Sequence, residues 1–266
     1  MLRTLFHKSW RLLYGTYSLA ALAALVTVAA LLALLLPRLA WRRASTRQIA
    51  RLWLSLAGIR LTVRGADQIP ADSCVLVANH SSYLDGVVMK AALPPRFSFV
   101  IKREASSMPI MGFLLRRIGS EFVDRHTRGG RQRDAKRVVR RAEQGHSLVF
   151  FPEGTFDAVV GLKRFHIGAF VAAARGGVPL IPSVIHGARD VLPNDTVVPT
   201  PGPVAVDVLA PLTMAECGGS AEGLRDVARA RMVELLDYPD LAPVQTQRGQ
   251  SRTLRADEDA TKAEMV

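Results

Sequence analysis

An α/β layered domain, with a mixed sheet flanked by helices, is the fold class this sequence predicts, and three observations predict it. Short apolar, β-rich runs alternate with helical stretches after Gly58. Two of those helical stretches close on a glycine, Gly145 and Gly176. A helix-length apolar segment and a second, amphipathic helix precede the alternation. With 266 residues, 49% of them hydrophobic, the chain can hold one sizeable domain plus appendages.

The first element is the apolar segment. Residues 17–36 carry no charge and read almost entirely as Leu, Ala and Val, long enough as a helix to cross a hydrocarbon core of about 30 Å. A secretory signal is the competing reading, because Arg3, Lys8 and Arg11 precede the segment. Residues 37–43 offer a poor small-residue cleavage site, so retention as a membrane anchor is expected. Arg38, Arg42, Arg43, Arg47 and Arg51 outnumber the basic residues on the other side, which puts the carboxyl-terminal domain on the cytoplasmic face of the membrane. In the second helix, Ile49, Leu52, Trp53 and Leu56 recur at helical spacing. That pattern fits either a helix lying in the membrane interface or one packed on a core.

The alternation then predicts strands at 59–63, 75–78, 97–101, 121–123, 148–151, 180–185 and 204–209. Helices are predicted at 83–92, 108–118, 131–144, 166–175 and 221–238. The expected organisation is a membrane-anchoring segment over 1–58 and a catalytic domain over 59–242. The polar stretch 243–266, which lacks any apolar period, is expected to be a disordered tail. Met108, Met111, Phe113 and Leu114 fit either an acyl-chain tunnel or ordinary core.

A net charge of +12 calls for anionic lipid or nucleic acid as a neighbour, and the membrane segment makes lipid the better choice. The basic run Arg133, Lys136, Arg137, Arg140 and Arg141 lacks interleaved aromatics and any nucleic-acid motif, so it reads as a solvated or lipid-facing helix surface. Only Cys74 and Cys217 are present, and neither belongs to a ligand-spaced cluster. No disulfide framework and no metal site are expected.

Three motifs carry chemistry. In Asn79-His80-Ser81-Ser82-Tyr83-Leu84-Asp85, His80 leaves the carboxyl end of an apolar strand and Asp85 follows one helical turn later. A carboxylate on one ring nitrogen fixes the tautomer and leaves the other nitrogen free to take a proton from a hydroxyl. The competing reading is a helix capped by Asn79 or Ser81, with Asp85 complementing the helix dipole. In Phe151-Pro152-Glu153-Gly154-Thr155 a strand ends in a turn that exposes Glu153 and Thr155. In Gly119-Ser120-Glu121-Phe122-Val123-Asp124-Arg125 a short strand ends in an arginine able to fork onto a phosphate.

Taken in this order, and with Val178-Pro179-Leu180-Ile181-Pro182, these motifs resemble the membrane glycerophospholipid acyltransferase family, whose best-known members are the 1-acyl-sn-glycerol-3-phosphate acyltransferases. The resemblance spans about residues 59–210. It implies transfer of a fatty acyl group from acyl-CoA or acyl-carrier protein, as co-substrate, to a lysophospholipid hydroxyl, with no metal, no other cofactor and no acyl-enzyme. His80 would be the base and Asp85 its orienter. Lys102, Gly119 and Arg125 match positions that shape the acceptor site, while Glu153, Gly154 and Thr155 match the motif beside the acceptor phosphate.

One departure bears on the acceptor. Phosphate-binding relatives read Glu-Gly-Thr-Arg-Ser, whereas Phe156 and Asp157 follow Thr155 here, so one charged contact is missing and Lys163 or Arg164 would have to compensate. His166, in place of the basic residue such relatives carry, fits a helix start. The acceptor implied is 1-acyl-sn-glycerol-3-phosphate or another lysophospholipid or lyso-aminolipid. A membrane-bound thioesterase is a rival that needs the same dyad, and an inactive scaffold or nucleic-acid tether is a rival that intact His80, Asp85 and Glu153 oppose.

Overall fold

The computed structural model describes residues 2–124, 127–156 and 159–242. Seven strands, β1 (Ile59–Arg64), β2 (Val75–Ala78), β3 (Ser98–Lys102), β4 (Glu121–Val123), β5 (Leu148–Phe150), β6 (Leu180–His186) and β7 (Gly202–Val208), form one sheet in the order β1-β7-β6-β2-β5-β3-β4. Every neighbouring pair is parallel except β6 and β7, so the sheet is mixed, as expected. All seven strands stand where the alternation of apolar runs placed them.

Strand β2 is central, and its uninterrupted apolar run reflects burial on both faces. Its side chains divide with a period of two. Leu76 and Ala78 enter one core with Trp53 and Leu54 of helix α2 (Leu39–Leu56) and Val88 and Met89 of helix α3 (Asp85–Ala92). Val75 and Val77 enter a second core against helices α5 (Arg128–Glu143), α6 (Gly168–Gly176) and α8 (Ala221–Leu235). At roughly 25 cal/mol per Å² of apolar surface removed from water, these two layers hold the central strand in place.

Helix α1 (Leu2–Leu35) contains a 23-residue apolar stretch, Leu13–Leu35, long enough to cross a membrane. One side of it is docked on the domain. The Tyr14 hydroxyl donates to the Ala57 carbonyl at 2.7 Å, and the Trp53 indole donates to the Ser18 carbonyl at 3.2 Å. Gly15 allows this approach, because a Cβ there would meet Val198 Cγ1 at 2.6 Å. Further along, Ala29, Ala30 and Ala33 are buried against Leu114 and Ile118 beside helix α4 (Pro109–Arg117), which makes Leu114 core and not a tunnel wall. Leu31, Leu34 and Leu35 stay exposed on the other side.

Arginines finish α1. Arg117 donates to the carbonyls of Ala33 and Leu34, and Arg42 to those of Leu36 and Pro37, so chain-terminal carbonyls that a helix leaves unpaired find donors. Helix α2 is the core-packing alternative of the two that its periodicity allowed, since Ala50, Trp53 and Leu54 are buried. Arg43, read from sequence as one of the charges flanking the membrane segment, is instead buried. It donates to the carbonyls of Ile118 (2.8 Å) and Arg96 (2.6 Å) and to the Ser98 hydroxyl.

Element ends moved by a few residues. Helix α5 starts at Arg128, where the Thr127 hydroxyl accepts the Gly130 N–H at 3.1 Å, and α6 starts at Gly168 and runs through Gly176 to a left-handed cap at Gly177. The four-residue helix α7 (Ala188–Val191) is too short to carry a sequence period and was not anticipated.

Candidate active site

The carboxyl ends of β2 and β5 meet at one edge of the sheet, and the loops that follow them build the site. Asn79 fixes the exit from β2. Its side-chain amide donates to the Ile185 carbonyl at 3.0 Å and accepts the Ile185 N–H at 2.7 Å, continuing the β2–β6 ladder by one rung. Ser82 closes the loop from below, donating to the Leu192 carbonyl at 2.7 Å and accepting the Leu84 N–H at 3.1 Å.

Between these clamps, His80 Nδ1 lies 2.9 Å from Asp85 Oδ2. The same carboxylate oxygen accepts the N–H groups of Ser81 at 2.7 Å and Ser82 at 2.8 Å. Asp85 is fully buried, and the His80 side chain is 20% exposed. Neither Asn79 nor Ser81 caps α3, which is entered from Leu84 with no side-chain cap, so of the competing reading only the place of Asp85 in the first helical turn stands. Asp85 opens α3 and organises the preceding turn, and the same oxygen orients the imidazole. Charge-assisted hydrogen bonds of this kind contribute about 1.5–3 kcal/mol each, so the ring orientation is firmly set. Nε2 has no hydrogen-bond partner among the described residues.

Glu153 comes to the same point from β5. Its Oε1 accepts the His80 backbone N–H at 2.6 Å, and its Oε2 accepts the Lys163 N–H at 2.9 Å. Burial pushes the Glu153 carboxyl up to about 7, against the pull of those two backbone donors and of the Lys163 charge. Gly154, at φ +81°, makes the turn that brings Glu153 inward, with its N–H on the Phe151 carbonyl at 3.0 Å. Thr155 is exposed at the rim, and its carbonyl accepts the Lys163 ammonium at 3.3 Å.

The imidazole sits among rings. Phe151 stacks on it at 4.5 Å between centroids, Phe156 meets it edge-on at 4.6 Å, and Tyr83 meets Phe156 at 4.7 Å. Phe156 thus reaches the catalytic candidate itself, which its place in the motif did not foretell. Lys102 is exposed at the carboxyl end of β3, two strands from β2 on the same edge of the sheet. Gly119 lies before the amino end of β4, where a Cβ would meet the Arg43 guanidinium at 2.9 Å, so it packs under α2 and not beside His80. Arg125 and Asp157 lie outside the described residues. His166 is exposed, with its N–H on the Pro152 carbonyl at 2.8 Å, two residues ahead of α6. Among the described residues no cluster of His, Cys, Asp or Glu has the makings of a metal site.

The partners of these residues were invisible in sequence. Ile185, Leu192 and Lys163 act through backbone atoms, so no side-chain type marks them, and each lies at least ten residues from the group it holds.

The Acyltransferase family model matches residues 60–186, the stretch that contains His80, Asp85 and Glu153. A 1-acyl-sn-glycerol-3-phosphate acyltransferase of Pseudomonas aeruginosa is 31% identical over 180 residues, which cover 66% of this chain and 67% of that protein. The chain belongs to the acyltransferase family. A lyso-ornithine lipid O-acyltransferase of Pseudomonas aeruginosa is 30% identical over 150 residues, 56% of this chain and 57% of that protein. The 1-acyl-sn-glycerophosphate acyltransferase PlsC of Thermotoga maritima shares the fold, with a TM-score of 0.74 at 20% identity over 85% of this chain and 95% of that one. The chain spans somewhat over half the length of several curated relatives that it matches, 56–58% in three cases.

Proposed function

We propose that this member of the family is a membrane-bound O-acyltransferase that moves a fatty acyl group from an acyl-CoA or acyl-carrier-protein thioester to the free hydroxyl of a lysophospholipid. Its preferred acceptor on this reading is 1-acyl-sn-glycerol-3-phosphate, giving phosphatidic acid. The observation that carries the reading is the 2.9 Å contact between His80 Nδ1 and a fully buried Asp85 that leaves Nε2 unengaged among the described residues.

In this mechanism His80 Nε2 takes the proton of the acceptor hydroxyl while its oxygen attacks the thioester carbonyl. Asp85 holds the Nδ1 proton and stabilises the imidazolium that forms. The carbon–sulfur bond then breaks, and the leaving thiolate takes the proton back from His80. Ser82 is a poor nucleophile candidate, since its hydroxyl is buried and committed to Leu192 and Leu84. Glu153 is a positioning residue that ties the loop after β2 to the loop after β5.

The exposed face of α1 and its apolar length support attachment to the membrane, with the domain on the cytoplasmic side as the flanking arginines favour. A second acceptor class is supported by the aromatic wall of Phe151, Phe156 and Tyr83, which surrounds the reacting hydroxyl with apolar surface. A hydroxyl on a hydrocarbon chain, as in a lyso-aminolipid, suits that wall.

The test is an acyl-transfer assay of the membrane fraction with labelled acyl-CoA and acyl-carrier protein against a panel of lysolipids. His80→Ala is expected to abolish transfer at unchanged protein abundance. Full activity in that variant overturns the mechanism, and release of free fatty acid with no dependence on lysolipid makes the protein a thioesterase.

A further inference from the structure

Beyond the catalytic edge, the structure holds an arginine-lined hollow on the outer side of β4, the last strand of the sheet. We propose that this hollow, lined by Arg103, Arg116, Arg137 and Ser120, is a binding site for the phosphate head group of an anionic membrane phospholipid, separate from the acceptor site.

The hollow has a volume of about 360 Å³, room for a phosphodiester head group. Among the described residues three arginines and one carboxylate residue, Glu121, line it. Two carboxylates hold Arg103 and Arg137. Asp134, with a side chain only 1% exposed, accepts from Arg103 at 2.7 Å and from Arg137 at 2.6 Å, and Glu121 accepts from Arg137 at 3.2 Å and from Arg141 at 2.8 Å. Asp134 also accepts the Asp124 N–H at 2.8 Å, which pins the network to the end of β4. The guanidinium groups of Arg103 and Arg137 are therefore pre-positioned and not merely near one another.

Arg137 commits all three of its nitrogens, to Glu121, Asp134 and the Phe122 carbonyl, but Arg103 and Arg116 are not spent. Among the described residues Arg103 gives one nitrogen to Asp134 and Arg116 gives one to the Ser106 carbonyl, out of the five N–H groups each carries. Ser120 also lines the hollow, although its hydroxyl oxygen is out of contact with water and has no hydrogen-bond partner among the described residues. A forked arginine is the group that proteins place on phosphate oxygens.

The position selects a lipid over a soluble phosphate ester. Arg116 sits on α4, whose neighbouring Arg117 caps the carboxyl end of apolar α1 at Ala33 and Leu34. Leu34 and Leu35 are 56% and 75% exposed there, and Trp41 is exposed just after them. Arg116 thus lies at the level where the apolar helix ends, which is the level of phospholipid head groups when that helix is in a membrane.

The test titrates the full chain, held in a neutral detergent, with short-chain phosphatidylglycerol and with phosphatidylcholine, and follows binding by native mass spectrometry. Arg116→Gln is expected to weaken phosphatidylglycerol binding about tenfold. Arg133→Gln on the exposed face of α5, which removes the same charge outside the hollow, is expected to change nothing. Equal weakening in Arg133→Gln would reduce the effect to net charge and overturn the site. Stabilisation by inorganic phosphate at constant ionic strength, lost in Arg116→Gln, without preference for phosphatidylglycerol, would assign the hollow to a soluble phosphate ester and overturn the proposal. A raised Michaelis constant for the lysolipid acceptor in Arg116→Gln would make it part of the acceptor site, which also overturns it.

Discussion

Glu153 accepts the backbone N–H of His80 at 2.6 Å, joining two residues that stand 73 positions apart. The bond fixes the main chain of the histidine, while Asp85 fixes its ring at 2.9 Å. Main chain and side chain of the proposed base are thus held by carboxylates from two different strand ends.

Replacing Glu153 should reveal the cost of that arrangement. Its carboxyl is raised to about 7, so between 4.5 and 7 the folded protein binds more protons than the unfolded chain, and stability falls as pH rises through that window. Glu153→Gln cannot titrate. Relative to wild type it should gain stability as pH rises from 4.5 to 7, while its amide, facing two N–H groups, costs about 1–3 kcal/mol at every pH. Thermal unfolding at the two ends of the window checks the slope, and identical slopes would refute it.

Asp85→Asn keeps the shape of the side chain and disturbs its chemistry. Oδ2 accepts three bonds, from Ser81 N, Ser82 N and His80 Nδ1, while Oδ1 has no partner among the described residues, so the amide oxygen can take all three but brings no negative charge. Loss of the carboxylate charge that stabilises the imidazolium should lower kcat by about 10³–10⁴-fold, with a much smaller change in the Michaelis constant for the acceptor. Steady-state acyl transfer measures both.

Phe156→Arg puts a guanidinium where a ring now meets His80 at 4.6 Å and Tyr83 at 4.7 Å. Gain of a charge-assisted phosphate contact should raise kcat/KM for a phosphorylated lysolipid about tenfold relative to a lyso-aminolipid. A competition assay with both acceptors present reads the ratio directly, and no change would place phosphate recognition elsewhere.

Lys90, on α3, titrates at about 7 because burial, followed by the Arg43 and Arg47 charges, disfavours its ammonium form. Between 7 and 10.5 the unfolded chain binds more protons, so wild-type stability rises with pH across that window. Lys90→Met should stabilise the protein at neutral pH by about 1–3 kcal/mol, with the gain shrinking towards pH 10.5. Chemical denaturation at neutral and alkaline pH tests it.

Much of this molecule is legible without coordinates, and the reason is physical. Strand β2 announces itself because a strand buried on both faces must be apolar throughout, and α5 because its apolar face at Val138, Val139 and Ala142 repeats at helical spacing. His80 and Asp85 are readable because they are five residues apart, close enough for one turn to join them. Local sequence therefore determined the seven strands, the longer helices, the apolar first helix and the pair at the centre of the proposed chemistry.

Only the tertiary structure decided what reaches that pair from a distance. Glu153 on His80, Phe156 against the ring, Arg43 inside the core and the arginine hollow on β4 all depend on sheet order, and β2 lies beside β5 only because the chain crosses over between them. A residue type at one position carries no record of which strand will become its neighbour. Periodicity specifies an element and its buried face, but the pairing of elements is set by how their faces pack, and that is where the surroundings of the site were fixed.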